Sequence, residues 1–162
     1  MSSSDRRLFL LTGLAVLAGC GFSPAYGPGG GGTALRGQVE IAEPDSRAGY
    51  ILTRDLESRL GRTASGRYAL TPEISLGTEA VAIDRRNVAG RFNILGSVRY
   101  TLTDRQTGET VTRGTVDAFS AYSARGTPVA TRAARRDAEA RLMTILADQM
   151  VTRLLATAPE PR

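Results

Sequence analysis

The 162-residue sequence contains no histidine, no lysine and no tryptophan, and its only cysteine is Cys20. Each absence removes a class of chemistry. Without histidine the chain lacks the commonest general base and the commonest metal ligand. Without lysine it has neither a Walker-type phosphate lysine nor a Schiff-base nucleophile. A lone cysteine forms no internal disulfide and no thiolate metal site. Serine and carboxylate chemistry stay formally open, but no motif frames them. The expectation is a protein that is not an enzyme, with no catalytic residue, no metal and no cofactor.

What is present is arginine. All 21 basic residues are arginines, set against 16 acids for a net charge of +5. They are scattered among the acids and form no run of five or six, so no nucleic-acid partner is expected. Two readings stay open: a solvated, arginine-rich surface, or a local patch whose planar forks grip phosphate or carboxylate.

The chain opens with a short basic segment containing Arg6 and Arg7, followed by the apolar residues 8–19 and then Cys20. That order describes a secretory signal peptide. Twelve apolar residues are too few to cross a hydrocarbon core of about 30 Å as a helix. Leu17-Ala18-Gly19-Cys20 resembles the bacterial lipobox, which implies cleavage before Cys20 and acylation of its sulfur and its new amine. Three acyl chains at about 0.8 kcal/mol per buried methylene anchor a protein durably where one is marginal. Gly21 at the second mature position, rather than aspartate, resembles an outer-membrane sorting signal. Arg6-Arg7-Leu8-Phe9-Leu10 also resembles a twin-arginine export signal, with Asp5 replacing the usual Ser or Thr, so the export route stays open.

Beyond the signal (residues 1–19), residues 20–35 carry Pro24, Pro28 and the run Gly29–Gly32, and read as a flexible tether. Residues 36–158 read as one domain, with a short tail at 159–162. Val39 and Ile41 alternate with polar residues in a short strand over 36–42. Asp45 or Ser46 then caps a helix over 47–60 whose Leu52, Leu56 and Leu60 share one side before Gly61 ends it. A long strand over 68–83 contains Pro72, which places a bend or bulge there and an edge beside it. Phe92, Ile94, Gly96, Val98, Tyr100 and Leu102 mark the clearest strand, followed by a turn at 104–109 and a fourth strand over 110–122.

A last helix over 130–156 turns Leu142, Met143, Leu146, Met150 and Leu154 into one stripe. Its first half breaks that pattern, because Arg132, Arg135, Arg136 and Glu139 fall on the azimuth of the later leucines. Unpaired charges cannot share that core. These turns either overhang the sheet, with Arg135–Glu139 and Asp137–Arg141 pairs along the helix, or meet something polar. The order β-α-β-β-β-α predicts an α+β two-layer sandwich: a four-stranded, mostly antiparallel sheet with two helices on one face.

Cys20-Gly21-Phe22-Ser23-Pro24-Ala25-Tyr26-Gly27 after a lipobox, followed by this order of elements, resembles the LPS-assembly lipoprotein family LptE. The tail from Arg136-Asp137-Ala138 to Leu154 is similar to that family's last helix. The resemblance implies an outer-membrane lipoprotein facing the periplasm, seated in the lumen of the β-barrel LptD. There it helps the barrel assemble and insert lipopolysaccharide into the outer leaflet, and it binds lipopolysaccharide itself. It also implies that a basic residue before the third strand holds lipopolysaccharide, which points to Arg86, with Arg85 beside it and Arg91 nearby. Arg136 and Arg141 are loose candidates for a second basic site in the last helix. The alternative is a lipid-binding auxiliary lipoprotein of an envelope ABC transporter, with the same anchor and a similar layout.

Overall fold

The structure, a computed structural model, describes residues 34–83 and 89–157. Strand β1 (Val39–Ile41) leads to helix α1 (Arg47–Leu60), strands β2 (Tyr68–Ile83), β3 (Ala89–Asp104) and β4 (Thr110–Ser123), and helix α2 (Pro128–Ala156). The sheet order is β1-β2-β3-β4, with β1 parallel to β2 and both other pairs antiparallel. The predicted α+β layout is the observed one.

Local chemistry sets most element ends. Ser46 accepts the Gly49 N–H at 3.0 Å and starts α1, while Gly61, at φ 84°, donates to the Glu57 carbonyl and ends it. Helix α2 starts two residues earlier than its apolar stripe implies. Thr127 accepts the Ala130 N–H at 3.2 Å and Pro128 occupies the first turn, where its missing N–H costs nothing. Strand β1 is shorter than the alternation suggests, because Gly37 at φ 68° turns the chain and donates to the Leu60 carbonyl at 2.7 Å.

The helices bury their stripes against one face of the sheet. Leu52 and Leu56 of α1 and Leu142, Met143, Leu146, Met150 and Leu154 of α2 are fully enclosed with Leu70, Ile94, Val98, Leu102 and Val116. Between the helices, Thr144 donates to Asp55 at 2.7 Å and Arg59 pairs with Asp148 at 2.6 Å. The charged first half of α2 resolves as an overhang. Arg132, Arg135 and Arg136 are exposed, Ala138 is the first buried residue, and Arg135–Glu139 and Arg141–Asp137 pair along the helix. Arg141 also reaches the Ala121 carbonyl, two residues from the end of β4, so the helix upstream extends past that strand.

At the opposite end, the β3–β4 turn is tied down by Asp104, which is buried. It accepts the Gln106 N–H at 2.8 Å and a two-nitrogen fork from Arg67 at 2.9 and 2.8 Å. The Gln106 N–H foremost, opposed by burial and helped by the Arg67 guanidinium, holds this carboxyl below its ordinary value. A depressed folded pKa gives stability that is present above the unfolded value, near 4, and is lost as pH falls through the folded one. Asp104→Asn should therefore lower the thermal midpoint at pH 7, and the gap from wild type should narrow at pH 3. Melting curves at both pH values check this, and a gap equally wide at both would refute it.

Candidate functional site

Cys20, Arg85 and Arg86 lie outside the described residues. The strand ends that flank residues 84–88 are described, and there β3 and β4 build a cleft of about 450 Å³. Its lining comes from Gly90 and Arg91 of β3 and from Ala121–Ser123 and Arg125 at the end of β4. Register brings the two sides together, since Arg91 stands opposite Ser123. The Ala124 N–H and the Ser123 hydroxyl both donate to the Gly90 carbonyl, at 3.2 and 3.4 Å.

Gly90 is what admits the second arginine. A Cβ at this position would stand 2.9 Å from Arg125 Nε and 3.6 Å from Cζ, so a side chain here would push the guanidinium aside from the strand. Arg91 and Arg125 are both exposed, and among the described residues neither has a carboxylate partner. Next to the cleft, Phe92 and Tyr122 stack with centroids 5.4 Å apart and planes 15° off parallel. The Arg125 guanidinium, on the same side of the sheet as this aromatic pair, suits an anion carried on a partly apolar molecule, while Arg91 leaves the strand end on the other side.

Sequence reasoning placed Arg91 near this site and missed Arg125. The glycine before Arg91 was the available signal, but only the β3–β4 register shows which loop residue crosses it. Arg136 is exposed and without a carboxylate partner among the described residues, whereas Arg141 is engaged by Asp137 and Ala121.

A second feature lies on the sheet face that no helix covers. Leu95 and Phe119 stand opposite each other in register, 41% and 62% exposed, with Gly77 next in line on β2. Ser75, Ser97 and Asp117 flank this apolar ridge and complete a shallow depression of about 400 Å³. Tyr100 is also buried, and its burial raises the phenol above its ordinary value while Arg153 pulls it back. Its ring lies over Gly114, where a Cβ would meet the hydroxyl at 2.6 Å, so it packs as a structural side chain. Among the described residues no three acidic or sulfur-bearing groups gather as a metal site, and no helix is long and apolar enough to cross a membrane.

The family model LptE, described as lipopolysaccharide-assembly, matches residues 37–154, which spans every element from β1 almost to the end of α2. The chain belongs to the LptE family. This membership gives the LptE-family chain a role in lipopolysaccharide assembly at the cell envelope, and it sides with that reading over the transporter auxiliary. No curated protein matches the sequence. Among solved structures, a candidate lipoprotein from Caulobacter crescentus CB15 superposes with a TM-score of 0.65 at 24% identity, covering 78% of this chain and 93% of that one. Rare lipoprotein B from Shewanella oneidensis gives 0.58 at 10% identity, with 74% and 93% covered. A minor lipoprotein from Acinetobacter baumannii gives 0.54 at 16% identity, with 76% and 93% covered. At these identities the likeness extends to the fold.

Proposed function

We propose that this LptE-family chain is held in the outer membrane by lipid on Cys20, seats in the lumen of the LptD β-barrel, and binds lipopolysaccharide through arginines at the β2–β3 hairpin end. The observation that carries the binding part is the cleft lined by Arg91 from the β3 side and Arg125 from the β4 side, neither with an acidic partner among the described residues. Arg85 and Arg86 are five and four residues from Gly90 in sequence. A phosphorylated glycolipid offers what these groups recognise: phosphate oxygens for bidentate forks and an apolar body for the neighbouring aromatic pair. The barrel part draws support from the family and from the bare sheet face, where an apolar ridge remains for a partner to cover. Binding and scaffolding need none of the catalytic groups that the composition lacks.

One affinity purification from outer-membrane detergent extract tests both parts. The wild-type chain should bring down the barrel in a 1:1 ratio together with lipopolysaccharide. Arg91→Ala/Arg125→Ala should keep the barrel and lose lipopolysaccharide about tenfold, the scale of one charge-assisted hydrogen bond. Arg85→Ala/Arg86→Ala should act in the same direction. Ionic strength must match between samples, because exposed charge interactions weaken with salt and are largely screened beyond about 10 Å at 0.1 M. Unchanged lipopolysaccharide recovery from both doubles defeats the ligand assignment, and a chain recovered without any barrel defeats the plug.

A further inference from the structure

Among the described residues, one sheet edge is paired over only part of its length. Strand β1 pairs with β2 only over Tyr68–Leu70, while β2 runs on to Ile83. The Tyr68 N–H donates to Gln38, and the Leu70 carbonyl accepts from Ala42, both at 2.9 Å, so even-numbered residues of β2 turn their backbone toward β1. The ladder to β3 keeps its register without a slip as far as Ala80, so this alternation continues past the end of β1. Ile74, Leu76, Thr78 and Ala80 therefore direct N–H and C=O groups outward with no described strand beside them, and Pro72 adds a carbonyl.

A groove of about 620 Å³ runs along part of this edge. One wall is Ile74 and Leu76 of β2, the latter 43% exposed; the other is Ala48 and Gly49 of α1 with the preceding loop. The charge there is of one sign. Glu43, Asp45 and Glu73 line the groove, Glu79 follows along the strand, and no basic residue is among the lining, although the whole chain carries +5. Glu73 has only an exposed 3.5 Å contact with Arg99.

We infer that this edge accepts an extended segment of a partner polypeptide as a fifth strand, with apolar side chains alternating with arginine or lysine. Strand addition next to a helix satisfies the four outward N–H groups by main-chain bonds, and pockets read alternate side chains. The alternation assigns the chemistry. Side chains of the incoming strand on the helical side meet Ile74 and Leu76, and those on the other side stand beside Glu73 and Glu79. From Glu73 to Glu79 the strand covers about 20 Å, so six or seven partner residues fill the site. Pro72 and the register slips after Ala80 shield the two ends, as protected edges often are. The stretch between them is unshielded and borders an apolar wall, which protection alone does not explain. This inference depends on neither lipopolysaccharide nor the barrel.

The test uses amide hydrogen exchange by NMR on the full chain in detergent, with three synthetic heptapeptides. One alternates Arg and Val, one alternates Glu and Val, and the third is the Arg/Val peptide with a central Pro. The Arg/Val peptide should slow exchange at Ile74, Leu76, Thr78 and Ala80 by about tenfold or more, reporting local closure; the other two should not. Thr78→Pro removes an outward donor without touching the ladder to β3 and should abolish the effect. Glu73→Arg/Glu79→Arg, a surface change, should transfer it to the Glu/Val peptide. Equal protection by the Glu/Val peptide overturns the inference. So does protection already present in the dilute free chain, which would mean that its own segment fills the edge, or protection that rises with chain concentration, which would mean a second copy.

Discussion

Gly66→Ala is expected to destabilise the domain by about 3 kcal/mol, the upper part of the range for forced overpacking. The glycine is buried, and a Cβ built there falls 2.4 Å from the Gln38 carbonyl oxygen and 2.6 Å from its carbon. The obstacle is backbone, and that backbone is committed. Gln38 accepts the Tyr68 N–H at 2.9 Å and donates to Leu35 at 3.1 Å, so moving it unpairs the start of β1 from β2. Conformational freedom is the requirement elsewhere: Gly37 and Gly108 sit at φ 68° and 75° with open space around them. At Gly66 the requirement is room. Urea unfolding of the variant measures the loss, and a change below about 1 kcal/mol would mean that β1 yields without cost.

What the sequence made legible was what neighbouring residues decide. Helix α1 was readable to the residue, because Leu52, Leu56 and Leu60 repeat at helical spacing between a serine cap and a glycine stop. The two longest strands followed from alternation, and the edge at Pro72 followed from its missing N–H. The observed bulges lie later, between Ala80 and Ile83, where no proline marks them. The charged half of α2 was readable too, because arginines on the azimuth of Leu142 and Leu146 can only leave the core.

What pairing across the chain decides was hidden. Alternation in β3 and β4 does not say that Leu95 and Phe119 stand together on the bare face. Nor does it say that β1 stops opposite Leu70 and leaves an edge, or that Arg125 lies at Gly90. Each depends on register between segments, and a shift of one residue would turn every side chain to the other face. The candidate site was thus legible as a neighbourhood of arginines, while its second wall was not.

Leu142→Ala is expected to cost about 3–4 kcal/mol, within the range for emptying a fully buried leucine position. The more telling measurement pairs it with Gly96→Ala. Helix α2 rests on β3 at Gly96, where an added Cβ would stand 2.9 Å from Leu142 Cδ2, 3.2 Å from its Cγ and 3.0 Å from Leu146 Cδ1. Alone, Gly96→Ala should cost about 1 kcal/mol, because the leucine tips must move but can. With Leu142 already cut back to alanine, two of those three contacts vanish, and the new methyl enters space that the first change emptied. It also restricts the unfolded chain. Gly96→Ala should then be neutral or stabilising by about 0.5 kcal/mol, which gives a coupling of about 1–1.5 kcal/mol between two residues that touch. Strictly additive costs in denaturant unfolding would mean that the helix does not bear on the sheet at this point. Coupling of the expected sign would fix the height of α2 over β3, and with it the contact of Arg141 with Ala121 at the border of the arginine cleft.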